Sequence, residues 1–247
     1  DFSKIKTVDD INLRKGLEHR IGSSSRWFKG NDDWLFLGNA SNQTVAKHKL
    51  AIRPTSDDVT KLKDTLSELS MTGKDSNLQI ALLIGPSKSS VYSEKLPFKT
   101  PLLKERYIDS YLSELNGITN LTVYDPTDDL MNVKNSEGYL YYKTDTHWNE
   151  KGSFISFNNL LSKLGYMGPK VEFSKRDTIA GDLIKISKIK DYKLKNGDSW
   201  LANIDHRYHL TRTVNQEVAI NEAFGNQEIV FNSNPVIEKQ IWVVGDS

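Results

Sequence analysis

Leu78-Gln79-Ile80-Ala81-Leu82-Leu83-Ile84-Gly85 is apolar throughout except for Gln79, until the glycine closes it. A strand wet on one face would alternate polar and apolar residues. An unbroken run predicts a central strand covered on both faces, as in a parallel sheet. Before it, Val59, Leu62, Leu66 and Leu69 recur at three- and four-residue steps, the stripe of an amphipathic helix with Ser56 or Asp57 placed to cap it and Gly73 to stop it. After it, Leu103, Tyr107, Tyr111, Leu112 and Leu115 form a second stripe closed by Gly117, and Leu121 to Tyr124 reads as the next strand. A third helix carries Phe154, Phe157, Leu161 and Leu164, with Asn149 as its cap and Gly165 as its end. Nearer the start, residues 1–30 read as polar and irregular, and Asp33 to Gly38 as a short buried strand ending in a turn. Strands and helices in this order predict an α/β fold, a mostly parallel sheet flanked by helices.

From Lys170 to Asn234 the rhythm breaks: lysines multiply, Tyr208 to Val214 alternates, and Asn196-Gly197-Asp198 is turn chemistry. This stretch, 170–234, reads as a peripheral mostly-β insertion; residues 31–169 and 235–247 form the α/β core, with Ile241 to Val244 returning to the sheet. The whole of 1–247 is then one domain, and its 37% hydrophobic content suffices for a sizeable core. Thirty-three basic against 32 acidic residues leave no net field that would favour nucleic acid or an anionic membrane. No apolar run approaches the roughly eighteen residues needed to cross a bilayer, and no signal peptide opens the chain, so a soluble or mature form is expected. The absence of cysteine removes disulfides, thiol catalysis and thiolate metal sites.

Two distant pieces carry the chemistry. Ile241-Trp242-Val243-Val244-Gly245-Asp246-Ser247 runs an apolar strand into a Gly-Asp-Ser, and Thr144-Asp145-Thr146-His147-Trp148-Asn149 lies a hundred residues upstream. A serine alcohol becomes nucleophilic when an imidazole takes its proton, and a carboxylate fixes the tautomer of that imidazole. Ser247, His147 and Asp145 can fill these roles, since residues two apart in an extended segment point to the same side while Trp148 faces away. The plainer alternatives are an ordinary turn for Gly245 to Ser247, a hydrogen-bonded core histidine for His147, and a helix-entry carboxylate for Asp145. Gly85, Lys88 and Trp148 are placed on the oxyanion or substrate-binding side, because open α/β sheets hold their ligand crevice at the carboxyl ends of strands; Lys88 reads equally as a solvated lysine. Trp27, Trp34, Tyr139, Tyr141 and Tyr142 could stack on sugar rings or fill the core. His206 and His209 fall in a strand pattern that points them to opposite faces, so no metal site is expected. Lysines 185, 188, 190, 193 and 195 suit either an anionic polysaccharide or a solvated, protected sheet edge.

Taken together, Asp33 to Gly38, Pro86 to Tyr92 with Leu96-Pro97, Asp145 to Asn149 with Gly152, Gly181-Asp182-Leu183 and Gly245 to Ser247 resemble, in order, the SGNH-hydrolase-like acetyltransferase domains of the alginate O-acetylation proteins (AlgX/AlgJ-like). The resemblance implies a serine enzyme that carries an acetyl group on Ser247 and passes it to a hydroxyl of a secreted or cell-surface polysaccharide, with His147 as general base and Asp145 as its orienting acid. It implies no cofactor, a periplasmic or extracellular location in the cell envelope, a polysaccharide acceptor, and an acetyl donor supplied by a membrane-bound acyltransferase. The same site could serve a carbohydrate acetylesterase, or the fold could persist as a non-catalytic polysaccharide-binding or assembly scaffold. In the family a helix follows the serine, so either the protein continues past Ser247, which is the expectation, or it is catalytically inactive, and an isolated 247-residue form should show an uncovered sheet face or edge.

Overall fold

The computed structural model describes residues 26–97, 105–176, 180–189, 198–203, 210–213 and 229–232. Its elements are β1 (Trp27–Lys29), β2 (Leu35–Leu37), α1 (Thr44–His48), α2 (Ser56–Asp75), β3 (Ile80–Leu83), α3 (Lys88–Val91), α4 (Asp109–Leu115), β4 (Leu121–Tyr124), α5 (Thr127–Glu137), α6 (Glu150–Lys163), β5 (Glu172–Arg176), α7 (Asp182–Ser187), β6 (Ser199–Asn203), β7 (Leu210–Thr213) and β8 (Ile229–Asn232). Short 3₁₀ turns lie at Asn31–Asp33 and Ser93–Lys95.

β3 and β4 pair in parallel, Ile80 opposite Leu121 through Leu83 opposite Tyr124. The crossover between them includes α4, which packs on α2. The α2 helix lies directly on β3, because a Cβ at Gly73 would come within 2.8 Å of the Ile80 side chain. That contact, and not a helix stop, is the reason for glycine there. The helix runs on to Asp75 and ends in a Schellman arrangement: Asn77 adopts a left-handed φ of 56°, and the Leu78 and Asn77 N–H groups donate to Gly73 O and Lys74 O. Its cap is Thr55, one residue earlier than expected, whose hydroxyl accepts from the Asp58 N–H at 3.1 Å.

The expectation of a mostly parallel sheet is met, among the described residues, by this one pair. The pairs β1–β2, β5–β6 and β7–β8 are antiparallel, and Ile241 to Val244 lie outside the described residues. Nor is β3 covered on both faces: Ala81 is exposed and its neighbours are only half-buried. Trp27–Lys29, within the stretch read as irregular, pairs with β2.

The core sits instead around the β1–β2 hairpin. Phe28, Trp34, Phe36, Val45, Val91, Tyr92, Leu96, Leu130, Leu140 and Tyr141 form one buried cluster. Trp34 is fully buried with its ring 4.4 Å from that of Tyr92, and Tyr141 stands edge-on to Tyr92. Trp34 and Tyr141 are therefore core residues and cannot stack on sugars, and Tyr139 packs against the same cluster. The α6 helix starts as expected: the Asn149 side chain accepts from the Lys151 and Gly152 N–H groups. It ends at Gly165, whose φ of 83° is the conformation glycine adopts without strain. In the 170–234 stretch, Asp198 and Ser199 are fully buried and β6 packs on α6, so this part of the stretch belongs to the core.

Candidate functional site

The segment from Leu140 to Asn149 closes on itself and is fastened from several sides. Tyr141 and Trp148 form a β-bridge, and the Asn149 N–H donates to Leu140 O at 2.9 Å. Inside this neck, residues 143–147 bend rather than extend. The Tyr141 hydroxyl donates to Pro86 O at 2.6 Å, which ties the neck to the turn after β3. The Leu35 N–H of β2 donates to Lys143 O, and the Lys143 N–H to Asp198 Oδ2. Gly181 and Leu183 donate their N–H groups to the side chain and carbonyl of Thr144. Glycine is required at 181 by close approach, since a Cβ there would sit 2.5 Å from Thr144 O and from the Asp145 Cβ.

This frame presents Asp145 to His147. Asp145 Oδ1 accepts from the His147 N–H at 3.0 Å and lies 2.6 Å from Nδ1, and Oδ2 accepts from the Asp182 N–H at 2.8 Å. The carboxylate therefore reaches the ring through a turn onto its own i+2 amide, not through the two-residue alternation of an extended strand. Burial alone would raise the Asp145 carboxyl, but the Asp182 and His147 N–H groups and the imidazole outweigh it and hold it below its ordinary value. An ionised acceptor at Nδ1 keeps the proton on that nitrogen and leaves Nε2 with a lone pair. Nε2 has no partner among the described residues, and the His147 side chain is 66% exposed. The pair is thus oriented on one side and open on the other, as a general base requires.

Asp182 is the residue that the sequence reading left without a role. Its carboxylate accepts from the Thr146 N–H at 2.9 Å and the Thr146 hydroxyl at 2.5 Å, while its own N–H holds Asp145. The two segments clasp each other reciprocally. Gly181-Asp182-Leu183 stood out as a motif, but its partner lies 36 residues away, and no local spacing marks that. Asp198, read as turn chemistry, is fully buried under the neck, its carbonyl accepting from Asn149 Nδ2 at 2.7 Å.

The remaining candidate residues fall as follows. Gly85 and Trp148 are neighbours: a Cβ on Gly85 would touch the indole at an ordinary 3.8 Å, and Trp148 packs against the core cluster, as expected of a side chain that faces away from the Asp145 and His147 side. Lys88 is neither a solvated lysine nor a donor available to an oxyanion. It is 4% exposed, and its ammonium donates to the carbonyls of Tyr142, Lys143 and Asp145 at 3.0, 3.2 and 2.6 Å, which uses all three protons. Ser247, His206 and His209 lie outside the described residues, as do Lys190, Lys193 and Lys195. Asp145, His147 and Asp182 bring donor atoms within 4.8 Å of one another, close enough to share a cation. Each carboxylate oxygen also accepts an N–H or O–H from this clasp.

Residues 28–181, more than half of the chain, match the family model described as ALGX, an SGNH hydrolase-like domain of the acetyltransferase AlgX. The chain belongs to this family. Its α/β architecture is accordingly SGNH hydrolase-like. The matched stretch contains Lys88, Asp145, His147 and Trp148, and Ser247 lies beyond it. Among solved structures, the chain is similar to the O-acetyltransferase domain of Pseudomonas putida AlgJ, with 19% identity, 66% of this chain and 60% of that one covered, and a TM-score of 0.43. It is also similar to Bacillus cereus PatB1, with 16% identity, 83% and 57% covered, and a TM-score of 0.45. A PatB1 structure with a sulfonyl adduct matches at 17% identity, 62% and 51% covered, TM-score 0.46. The chain thus spans little more than half the length of these proteins. No curated protein matches it at a significant level.

Proposed function

We propose that this chain carries the acyl-transfer centre of a polysaccharide O-acetyltransferase, with Ser247 as nucleophile, His147 as general base and Asp145 as its orienting acid. The observation that carries the reading is the 2.6 Å contact between Asp145 Oδ1 and His147 Nδ1 on a largely exposed ring. Membership of an acetyltransferase family supplies the reaction class. In the first half-reaction His147 Nε2 takes the Ser247 proton as the oxygen attacks the acetyl carbonyl, and returns it to the leaving group as the tetrahedral intermediate collapses to an acetyl-serine. In the second, Nε2 deprotonates a sugar hydroxyl, which attacks the ester and restores the serine. The acceptor is a secreted or cell-surface polysaccharide, the compartment is the cell envelope, and the donor side is served by a membrane-bound acyltransferase.

A second reading, carbohydrate acetylesterase, draws on one observation: the His147 side chain is largely exposed, so water could reach the acyl-enzyme as readily as a sugar. The two part in one experiment. Incubating the protein with a model acetyl ester and an oligosaccharide should yield acetylated sugar by mass spectrometry, and Ser247→Ala should abolish it. Free acetate alone would remove the transferase reading and leave the esterase.

A further inference from the structure

The proposed catalytic pair sits on a bend, and a bend that turns its carbonyls toward one point needs a reason to hold. Between Tyr142 and Asp145 every backbone carbonyl is accepted for. The Thr144 carbonyl takes the Leu183 N–H at 3.1 Å, and the other three converge on the Lys88 ammonium. Three carbonyl dipoles aimed at one buried point repel one another unless a cation occupies it, which is the arrangement by which carbonyl rings hold ions. Lys88 supplies that cation from α3, beyond the turn after β3. The far side of the ammonium is closed by the faces of Trp34 and Phe36, 5.6 and 5.2 Å from Nζ. A charged side chain this deeply buried is costly unless its bonds are made, and here every proton has an acceptor.

We infer that Lys88 is a positioning residue, whose ammonium gathers the carbonyls of Tyr142, Lys143 and Asp145 and so sets the bend that brings the Asp145 carboxylate onto His147. This rests on the proposed roles of His147 and Asp145. Lys88 acts through them and touches no reacting atom. Its interaction partners are specific in number and shape: three donors in a compact tetrahedral head meet three oxygens, a match the planar guanidinium of arginine does not reproduce. The carboxylates of Asp145, Asp182 and Asp198 face it and favour its charge. Burial opposes them more strongly and pushes the ammonium down to about 7. Near neutral pH, loss of that proton would remove one of the three donors.

The test uses the intact chain and two readouts. In Lys88→Met, kcat for a model acetyl ester should fall on the order of 10²-fold with KM within about twofold, the pattern of a misplaced catalytic group. The ring ¹³C and ¹⁵N shifts of His147 should lose the Nδ1–H tautomer. Unchanged ring shifts overturn the inference, whatever the rate does. Should Lys88→Met fail to fold, the backbone amides of Thr146 and Asp182 are followed through a pH titration in the His147→Gln variant, which removes the imidazole beside them. Amides that shift in step with the Lys88 side-chain signal as it titrates support the inference, and amides that stay flat while that signal titrates overturn it. If the unaltered protein turns over no acetyl ester, the proposed reaction fails, while the ring and amide signals still decide the role of Lys88.

Discussion

Two neighbouring segments invert what their sequences suggest. β3 is apolar along its length yet half-buried, with Ala81 exposed. The polar run from Lys143 to Asn149 lies a few residues from its end in space, and in it Lys143, Thr144 and Asn149 are buried. The difference teaches that burial here follows hydrogen-bond supply as much as hydropathy. The polar segment can be buried because its groups meet partners from β2, α7, Asp198 and Lys88. The apolar strand gains from its parallel partner and α2, but nothing among the described residues pairs its other edge. The scaffold is therefore most tightly specified where the proposed chemistry lies.

This contrast can be broken at several points. The largest effect belongs to the pair itself: His147→Ala should lower acetyl-ester turnover about 10³- to 10⁴-fold with little change in folding, since the ring is exposed. A change under tenfold, measured as kcat/KM, would take His147 out of the mechanism. Asp182→Ala removes the acceptor for the Thr146 N–H and hydroxyl, and should cost about 10- to 100-fold in kcat, as supporting partners of functional groups do.

The next effects are on stability. Thr144→Val keeps the shape but leaves the Gly181 N–H without its acceptor in a buried place, and should destabilise by about 1–3 kcal/mol in urea unfolding. The Asp145 carboxyl is held below its ordinary value in the folded chain. The stability it contributes is present above the unfolded value and is lost as pH falls through the depressed folded one. Asp145→Asn should accordingly flatten the acid limb of a melting-temperature profile relative to the unaltered chain; identical acid limbs would contradict the assignment. Ala81→Ser, on the apolar strand but exposed, should change stability by no more than about 0.5 kcal/mol. A cost like that of Thr144→Val would show that β3 is covered after all, and the contrast would dissolve.

What the sequence made legible was local. α6 with its Asn149 cap, the α2 stripe and β4 were readable because periodicity and capping are encoded within a few residues. α5 was missed, since only Leu130, Met131 and Val133 are apolar in Thr127–Glu137 and they leave a thin stripe. β1 was missed because three residues pairing with β2 carry no period of their own. Asp145 and His147 were recognisable as a pair, although a turn and not a strand joins them. The partners that hold the pair were not: Lys88 is 57 residues from Asp145 and Asp182 is 37. Their contacts arise from packing that no local pattern announces.

The most direct test of the proposed centre is to trap its intermediate. After brief exposure to a model acetyl ester and acid quench, mass spectrometry of the peptide containing Ser247 should show one added acetyl group, absent in His147→Ala. Acetylation that survives His147→Ala unchanged, or appears elsewhere and not on Ser247, would contradict the account.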